Sequence, residues 1–261
     1  MNKTDNYSAE ERRKIIVDLV DRRTNTTVSY LCDFFNVSSA TIRNDLRELE
    51  EEGSLKRTHG GAISIKNNRF DLPYIDRLVE HKEDKQLIGR MAASFVKPGD
   101  KIAIDTGTTT RELALALTNV ENITIVTNDL EVAYFLNSNS KANVFLTGGF
   151  LRKGFNSISG DTAINTLRNV YVDKAFISAE GIDIEKGITT TDMQLANEKR
   201  EFIKRASQTI VIADGSKFGK VAFSKCADIG DIDTIITTNM DDQKVIKQYS
   251  DHFVEIINAD I

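Results

Sequence analysis

Apolar residues recur along this chain at two periods, and the change from one to the other divides it. Between positions 8 and 53 the spacing is helical. Ser8-Ala9-Glu10-Glu11 has the form of a capping box, a hydroxyl at the N-cap and a carboxylate three residues on. Ile15, Ile16, Leu19 and Val20 follow at helical spacing and predict an amphipathic helix ending near Arg23. Thr26 or Thr27 caps a short second helix, with Leu31, Phe34 and Phe35 expected to face inward. Asn36-Val37 makes a turn, Ser38 caps a third helix running to Glu52, and Gly53 ends it in the left-handed conformation a C-cap favours. From Leu55 to Ile65, two short strands around Gly60-Gly61 read as a hairpin.

Residues 66–81, with Asn67-Asn68 and Pro73, have weak periodicity and read as a connector. Beyond them helical and strand-like segments alternate. Leu87, Ile88, Met91, Ala92 and Phe95 form a helical stripe that stops at Lys97-Pro98-Gly99-Asp100. Strand-like apolar runs follow at 101–104, 123–126, 142–146, 175–178, 209–213 and 234–237. Helices between most of them indicate an α/β domain with a mainly parallel sheet. The expected organisation is a small helical unit with a hairpin over 1–65, a linker over 66–81, and a larger α/β domain over 82–261.

At 40% hydrophobic and 28% charged residues over 261, the composition is that of a globular protein. No run approaches the roughly 18 apolar residues of a membrane span, and the polar N-terminus lacks the apolar core of a signal peptide. A cytoplasmic protein with no membrane partner is expected. Cys32 and Cys226 lie far apart and read as buried thiols. His59, His81 and His252 do not cluster with them, so neither metal nor cofactor is expected. The net charge of −5 argues against a protein that coats nucleic acid, but charge is segregated. Residues 1–69 carry 12 Lys and Arg against 11 Asp and Glu, and the rest carry 22 against 28.

That places any DNA contact in the first segment. On its third helix Ile42, Leu46 and Leu49 form the buried stripe, and Ala40, Arg43, Asn44 and Arg47 fall on or near the opposite face. Guanidinium groups pair with guanine edges, an amide with adenine, a methyl with thymine. These groups crowd toward the N-terminal half, the part of a recognition helix that enters the major groove. Ser38, Ser39 and Thr41 at the helix start are grouped with them as DNA-contacting. Lys56, Arg57 and His59 on the hairpin suit backbone phosphates. The acidic run Glu50-Glu51-Glu52 is expected to lie away from the phosphates. The whole reads as a winged helix-turn-helix for double-stranded operator DNA.

In parallel sheets ligands bind outside the carboxyl ends of the strands. Asp105-Thr106-Gly107-Thr108-Thr109-Thr110 follows the first strand and is expected to open a helix near Arg111. Small residues let backbone N–H groups approach an anion, and a helix terminus adds its dipole. Asn128 ends the second strand, Gly148-Gly149 and Arg152 follow the third, Gly160 opens a helix, and Lys217 follows a later strand. Five such loops on one edge, two with cations, predict a phosphorylated ligand. The candidate effector residues are Asp105, Gly107, Thr108, Thr109, Thr110, Asn128, Gly148, Gly149, Arg152, Gly160 and Lys217.

Val37-Ser38-Ser39-Ala40-Thr41-Ile42-Arg43-Asn44-Asp45-Leu46, with Leu49-Glu50, Gly53 and Arg57-Thr58-His59-Gly60-Gly61-Ala62, closely resembles the N-terminal signature of DeoR-family regulators. Asp105-Thr106-Gly107-Thr108-Thr109, Gly148-Gly149 and Asp214-Gly215-Ser216-Lys217-Phe218 resemble that family's effector-domain motifs. Asn44 departs from it, standing where the family usually has a second arginine. The resemblance implies a sensor for phosphorylated sugars or related metabolites, with repression of a carbohydrate-metabolism operon as the default. Two recognition helices in successive major grooves call for a homodimer or homotetramer.

The stretch from Asp173 to Lys217 is also similar to A-type ribose-5-phosphate isomerase, with Glu198-Lys199 at that enzyme's catalytic Glu-Lys. The enzyme's Asp-Gly-Ala-Asp is here Ile177-Ser178-Ala179-Glu180, and its Lys-Gly-Gly-Gly is Thr190-Thr191-Asp192-Met193. Proton transfer between sugar carbons needs a placed base and groups that stabilise an enediolate. The likeness therefore implies a pocket that binds without turnover, with Glu198 and Lys199 among the effector residues. The alternative is an isomerase-like enzyme fused to a DNA-binding domain.

Overall fold

The computed structural model describes residues 7–23, 25–58, 60–64 and 74–260. It divides into two compact units, residues 1–76 and 77–261.

The first unit contains α1 (Ala9–Arg23), β1 (Asn25–Thr27), α2 (Val28–Phe35), α3 (Ser39–Glu51), β2 (Leu55–Arg57) and β3 (Gly61–Ser64). The caps form where the sequence offers them. Ser8 N–H donates to Glu11 and Glu11 N–H to Ser8 Oγ; Thr27 and Ser38 accept from Tyr30 and Thr41 N–H. Ile16, Val20, Leu31, Phe35, Ile42 and Leu46 make the core, closed by Leu55 and Ala62 from the strands.

Two expectations change here. Phe34 is 46% exposed: Leu31 and Phe35, four apart, claim the inner face of the short α2, and Phe34 packs edge-on against Phe35 instead. The hairpin is also not a two-stranded wing. β1 pairs antiparallel with β3, giving a three-stranded sheet in the order β1-β3-β2. His59 and residues 65–73 lie outside the described residues. The end of the expected connector is helical, as α4 (Tyr74–Val79), and spans the boundary of the two units.

In the second unit α5 (Lys82–Ala93) precedes β4 (Lys101–Ile104), α6 (Thr108–Ala116), β5 (Thr124–Thr127), α7 (Leu130–Asn139) and β6 (Asn143–Leu146). A small hairpin, β7 (Phe150–Leu151) and β8 (Ile158–Ser159), leads through α8 (Asp161–Arg168) to β9 (Val172–Ser178). Next come β10 (Gly181–Asp183), β11 (Gly187–Thr190), α9 (Met193–Arg205), β12 (Ala206–Ile212) and β13 (Ser224–Ala227). β14 (Thr234–Thr237), α10 (Gln243–Ser250) and β15 (Glu255–Asn258) end the chain. Seven strands pair in parallel in the order β15-β14-β12-β9-β4-β5-β6.

The inner strands are covered on both faces and are apolar rather than alternating, whereas the edge strands β6 and β15 are part-exposed. Ile102, Ile104, Phe176, Ile210 and Ile212 face one core with α5, α6 and α7. The intervening Ala103, Ala175, Ile177 and Val211 face the other, with α8, α9, α10 and the antiparallel sheet β10-β11-β13. The strand order reverses between β4 and β9: the chain builds outward from β4 through β5 and β6, then returns to β9 on its other side. A crevice opens outside the carboxyl ends at such a switch point.

Candidate functional site

On α3, Ser38, Ser39, Ala40, Arg43, Asn44 and Arg47 are exposed and Thr41 is half-buried, bonded through its hydroxyl to Ser38. Ion pairing separates the cations of this unit into two groups. Arg12 forks onto Asp45 through Nε and Nη2 at 2.6 and 3.1 Å, and Arg13 pairs with Glu48, so α1 grips the side of α3. Arg43, Arg47 and Lys56 make no ion pair among the described residues. Arg57 differs: its N–H donates to Glu50 at 2.8 Å and its guanidinium lies 3.8 Å from the same carboxylate. Glu50 therefore does not stand clear of the basic hairpin, as its sequence position suggested. It ties the hairpin to α3, while the Arg57 side chain stays exposed.

At the switch point the parallel register sets a row. Ile104 pairs with Thr127 and Thr127 with Leu146, so the next residues, Asp105, Asn128 and Thr147, stand side by side across three strand ends. All three are buried. Asp105 Oδ1, Asn128 Oδ1 and Thr147 Oγ1 each lack a hydrogen-bond partner among the described residues. Buried oxygens are almost always bonded, so three neighbours without a protein donor mark a place for hydroxyl or amine donors.

Below the row lies a closed polar lattice. Lys199, buried on α9, contacts Asp105 Oδ2 and donates to Ser178 O at 2.8 Å and Ser178 Oγ at 2.9 Å. Glu198 accepts from Ser159 Oγ, from Gly160 N–H at 3.0 Å and from Asn128 Nδ2 at 2.8 Å. Burial raises the Glu198 pKa against those three hydrogen bonds. Asp129 accepts from Thr106 Oγ1 at 2.8 Å and caps α7 through Glu131 and Val132 N–H. Burial, the largest influence, lifts its pKa to about 6.

The expected loop 105–110 is shorter than predicted. α6 begins at Thr108, so Thr108, Thr109 and Thr110 form its buried first turn, and Gly107 is an N-cap with no side chain to cap it. A Cβ at Gly107 would lie 2.8 Å from Ser178 Oγ, which is why glycine stands there. Gly149, at φ +126, comes too close to the Ser159 carbonyl, 2.5 Å from a Cβ position, for any side chain. Gly148 turns at φ +76, and Gly160 caps α8. Arg152 pairs with Asp192 at 3.0 Å and covers the Phe155 ring at 4.5 Å. A narrow cleft opens here, lined by Thr106, Arg152, Phe155, Ser178 and Lys199 among others. Lys217 does not line it. Lys217 sits beside Asp214 at 3.9 Å, in a second group with the buried Lys85. Burial opposes ionisation of Asp214, but Lys217, Ser216 and His81 together outweigh it and lower the pKa.

The comparisons with known proteins settle what kind of chain carries these two features. A family profile described as the DeoR-like helix-turn-helix domain matches residues 12–68, and one described as the DeoR C terminal sensor domain matches residues 80–239. The chain belongs to the DeoR family. Among its relatives, the uncharacterized HTH-type transcriptional regulator YulB of Bacillus subtilis is 35% identical, over 94% of this chain and 95% of that one. The HTH-type transcriptional repressor GlcR of the same organism is 34% identical over 95% of each. The HTH-type transcriptional regulator GolR of Listeria innocua is 32% identical over 92% and 95%. The ribose 5-phosphate isomerase A of Methanocaldococcus jannaschii superposes with a TM-score of 0.40 at 16% identity, over 53% of this chain and 55% of that one, a level that carries no weight. No helix among the described residues of this DeoR-family regulator is long and apolar enough to cross a membrane.

Several neighbours of the candidate residues in this DeoR-family chain are not among the site residues expected from the sequence. Thr147 completes the row of Asp105 and Asn128; the signal that finds it is its place directly after the strand. Ser159, Ser178 and Asp192 hold Glu198, Lys199 and Arg152, and only the crossing of the chain back to β9 brings them there.

Proposed function

We propose that this DeoR-family regulator is a repressor of a carbohydrate-metabolism operon, released or retained by a phosphorylated sugar. The observation that carries the effector reading is the row of three buried oxygens with no donor among the described residues, one of them on Asp105 beside Lys199. Adjacent strands are about 4.8 Å apart, so the three oxygens can each meet a separate donor of one small polyhydroxylated ligand. Arg152 and the uncapped start of α6 suit its anionic group. Asp105, Gly107, Thr108, Thr109, Thr110, Asn128, Gly148, Gly149, Arg152, Gly160, Glu198 and Lys199 take part; Lys217, from its place beside Asp214, acts at the rim. Operator DNA is bound through the exposed face of α3 and Lys56, in a homodimer or homotetramer with recognition helices about 34 Å apart.

The pocket binds without catalysis. Glu198 accepts three hydrogen bonds and Lys199 is spent on Asp105 and Ser178, which supports a structural role for both rather than a free base. The test is thermal unfolding of the full-length protein against a panel of sugar phosphates and their unphosphorylated counterparts. A ligand at 100 times its Kd adds about 2.7 kcal/mol and a clear rise in midpoint. Stabilisation by one phosphorylated sugar, with no isomerisation of it, is the expected result. Turnover abolished by Glu198→Gln would instead establish the enzyme reading, and no shift with any compound would remove the sensor.

A further inference from the structure

Arg77 is the first residue of the second unit and lies on α4, the helix that follows the undescribed segment 65–73. Its side chain reaches the cleft just described, which it lines together with Arg152 and Lys199. The guanidinium lies 5.7 Å from the centre of the Phe155 ring, so two arginines share one aromatic face. Among the described residues it makes no hydrogen bond. Its nearest carboxylate oxygen, Glu180 Oε1, is 3.6 Å away, and Arg77 Nε is buried with no partner. Glu180 does not need Arg77, because its other oxygen accepts from Thr190 Oγ1 at 2.5 Å and Thr191 N–H at 2.6 Å. The main chain of the same helix is held firmly: the buried Lys85 ammonium donates to Arg77 O and Glu80 O. Among the described residues, Nε is the atom of this side chain left buried without an acceptor.

A buried guanidinium nitrogen without an acceptor costs free energy that an anion can recover, and a planar fork suits the oxygens of a phosphate. We propose that Arg77 is an anion-binding residue of the sensor cleft, exchanging its long contact with Glu180 for the effector's phosphate when the cleft fills. Because Arg77 sits on α4, occupancy of the cleft is thereby transmitted to the helix that continues the linker. This rests on the sensor reading above and adds to it the residue through which binding is reported.

The experiment uses the full chain with inorganic phosphate as the probe, followed by the thermal midpoint. Wild type is compared with Arg77→Ala, Glu180→Gln and Arg152→Ala. Arg77→Ala is expected to weaken phosphate at least tenfold. Glu180→Gln, which removes the competing carboxylate and leaves the fold's hydrogen bonds in place, is expected to tighten it about threefold. Phosphate should also slow amide exchange over residues 74–85 in wild type and not in Arg77→Ala. If Arg152→Ala weakens phosphate while Arg77→Ala binds it as wild type does, the cleft stands and the role of Arg77 is overturned. Equal slowing of exchange in both proteins overturns the transmission. If phosphate fails to bind wild type, or binds it regardless of Arg152, the sensor reading itself fails and this inference with it.

Discussion

Asp129 is the residue at which burial most clearly overrides ordinary ionisation. Its pKa stands at about 6 against the usual 3.8, burial outweighing the hydrogen bonds from Val132 and Thr106. The folded state therefore holds the proton more tightly than the unfolded chain. The stability this confers is complete below the unfolded value and is lost as pH rises through the folded one. A shift of about two units corresponds to about 3 kcal/mol. Asp129→Asn, neutral and still able to cap α7, is expected to flatten that decline in urea unfolding measured from pH 4 to 7. An unchanged slope would mean that other groups set it. The sequence places Asn128 and Asp129 at a strand end, which is enough to mark the first as a binding residue. It does not separate a side chain aimed at a ligand from one that caps a helix, since one peptide step reverses the direction.

Among the elements, α5 and α6 come nearest to each other at Gly89. A Cβ there would lie 2.6 Å from the backbone carbonyl carbon of Glu112. Two effects of Gly89→Ala oppose each other. Helix propensity favours alanine by about 1 kcal/mol, whereas overpacking a buried contact costs about 1–3 kcal/mol. The obstacle is backbone and cannot rotate away, so the loss dominates. A net destabilisation of about 1–2 kcal/mol is expected by urea unfolding; a stabilised variant would show that the helices part freely. At this scale helices and strands are mostly legible. Six of the seven parallel strands stand out as apolar runs, the inner five because both faces are buried and the edge strand β6 through Val144-Phe145-Leu146 although it is part-exposed. The seventh, Glu255–Asn258, is at the sheet edge with a half-exposed pattern and gives no such signal. The strand Asn25–Thr27 is equally silent, since three polar residues acquire strand form only through pairing with Gly61–Ser64.

The molecule as a whole carries −5, yet among the described residues Arg43, Arg47 and Lys56 make no ion pair while Arg12 and Arg13 are spent on α3. A predominantly acidic chain binds DNA through the few cations it leaves free. Against an operator selected from a pool of random duplexes, Arg43→Ala is expected to cost about 1–3 kcal/mol and relax preference at one base. Lys56→Ala is expected to weaken all duplexes alike and reduce the salt slope by about 1. Arg57→Ala should have the smaller effect of the two hairpin substitutions, because Glu50 already pairs with it. Titrations at several salt concentrations distinguish these cases, and an Arg43→Ala protein with wild-type affinity and selectivity would displace the groove assignment.

Local rules determined the helix caps of the first unit, the buried stripe Ile42-Leu46-Leu49, the exposed face opposite it, the α/β alternation and the small residues at the strand ends. Each depends on neighbours within a few residues, where periodicity and capping chemistry act. Only the tertiary structure decided that Glu50 restrains Arg57, that Asp105, Asn128 and Thr147 share a row, and that Arg77 enters the cleft with Arg152 and Lys199. Those contacts join residues tens of positions apart. They follow from parallel register and from the return of the chain to β9, and neither leaves a mark in the order of residues along it.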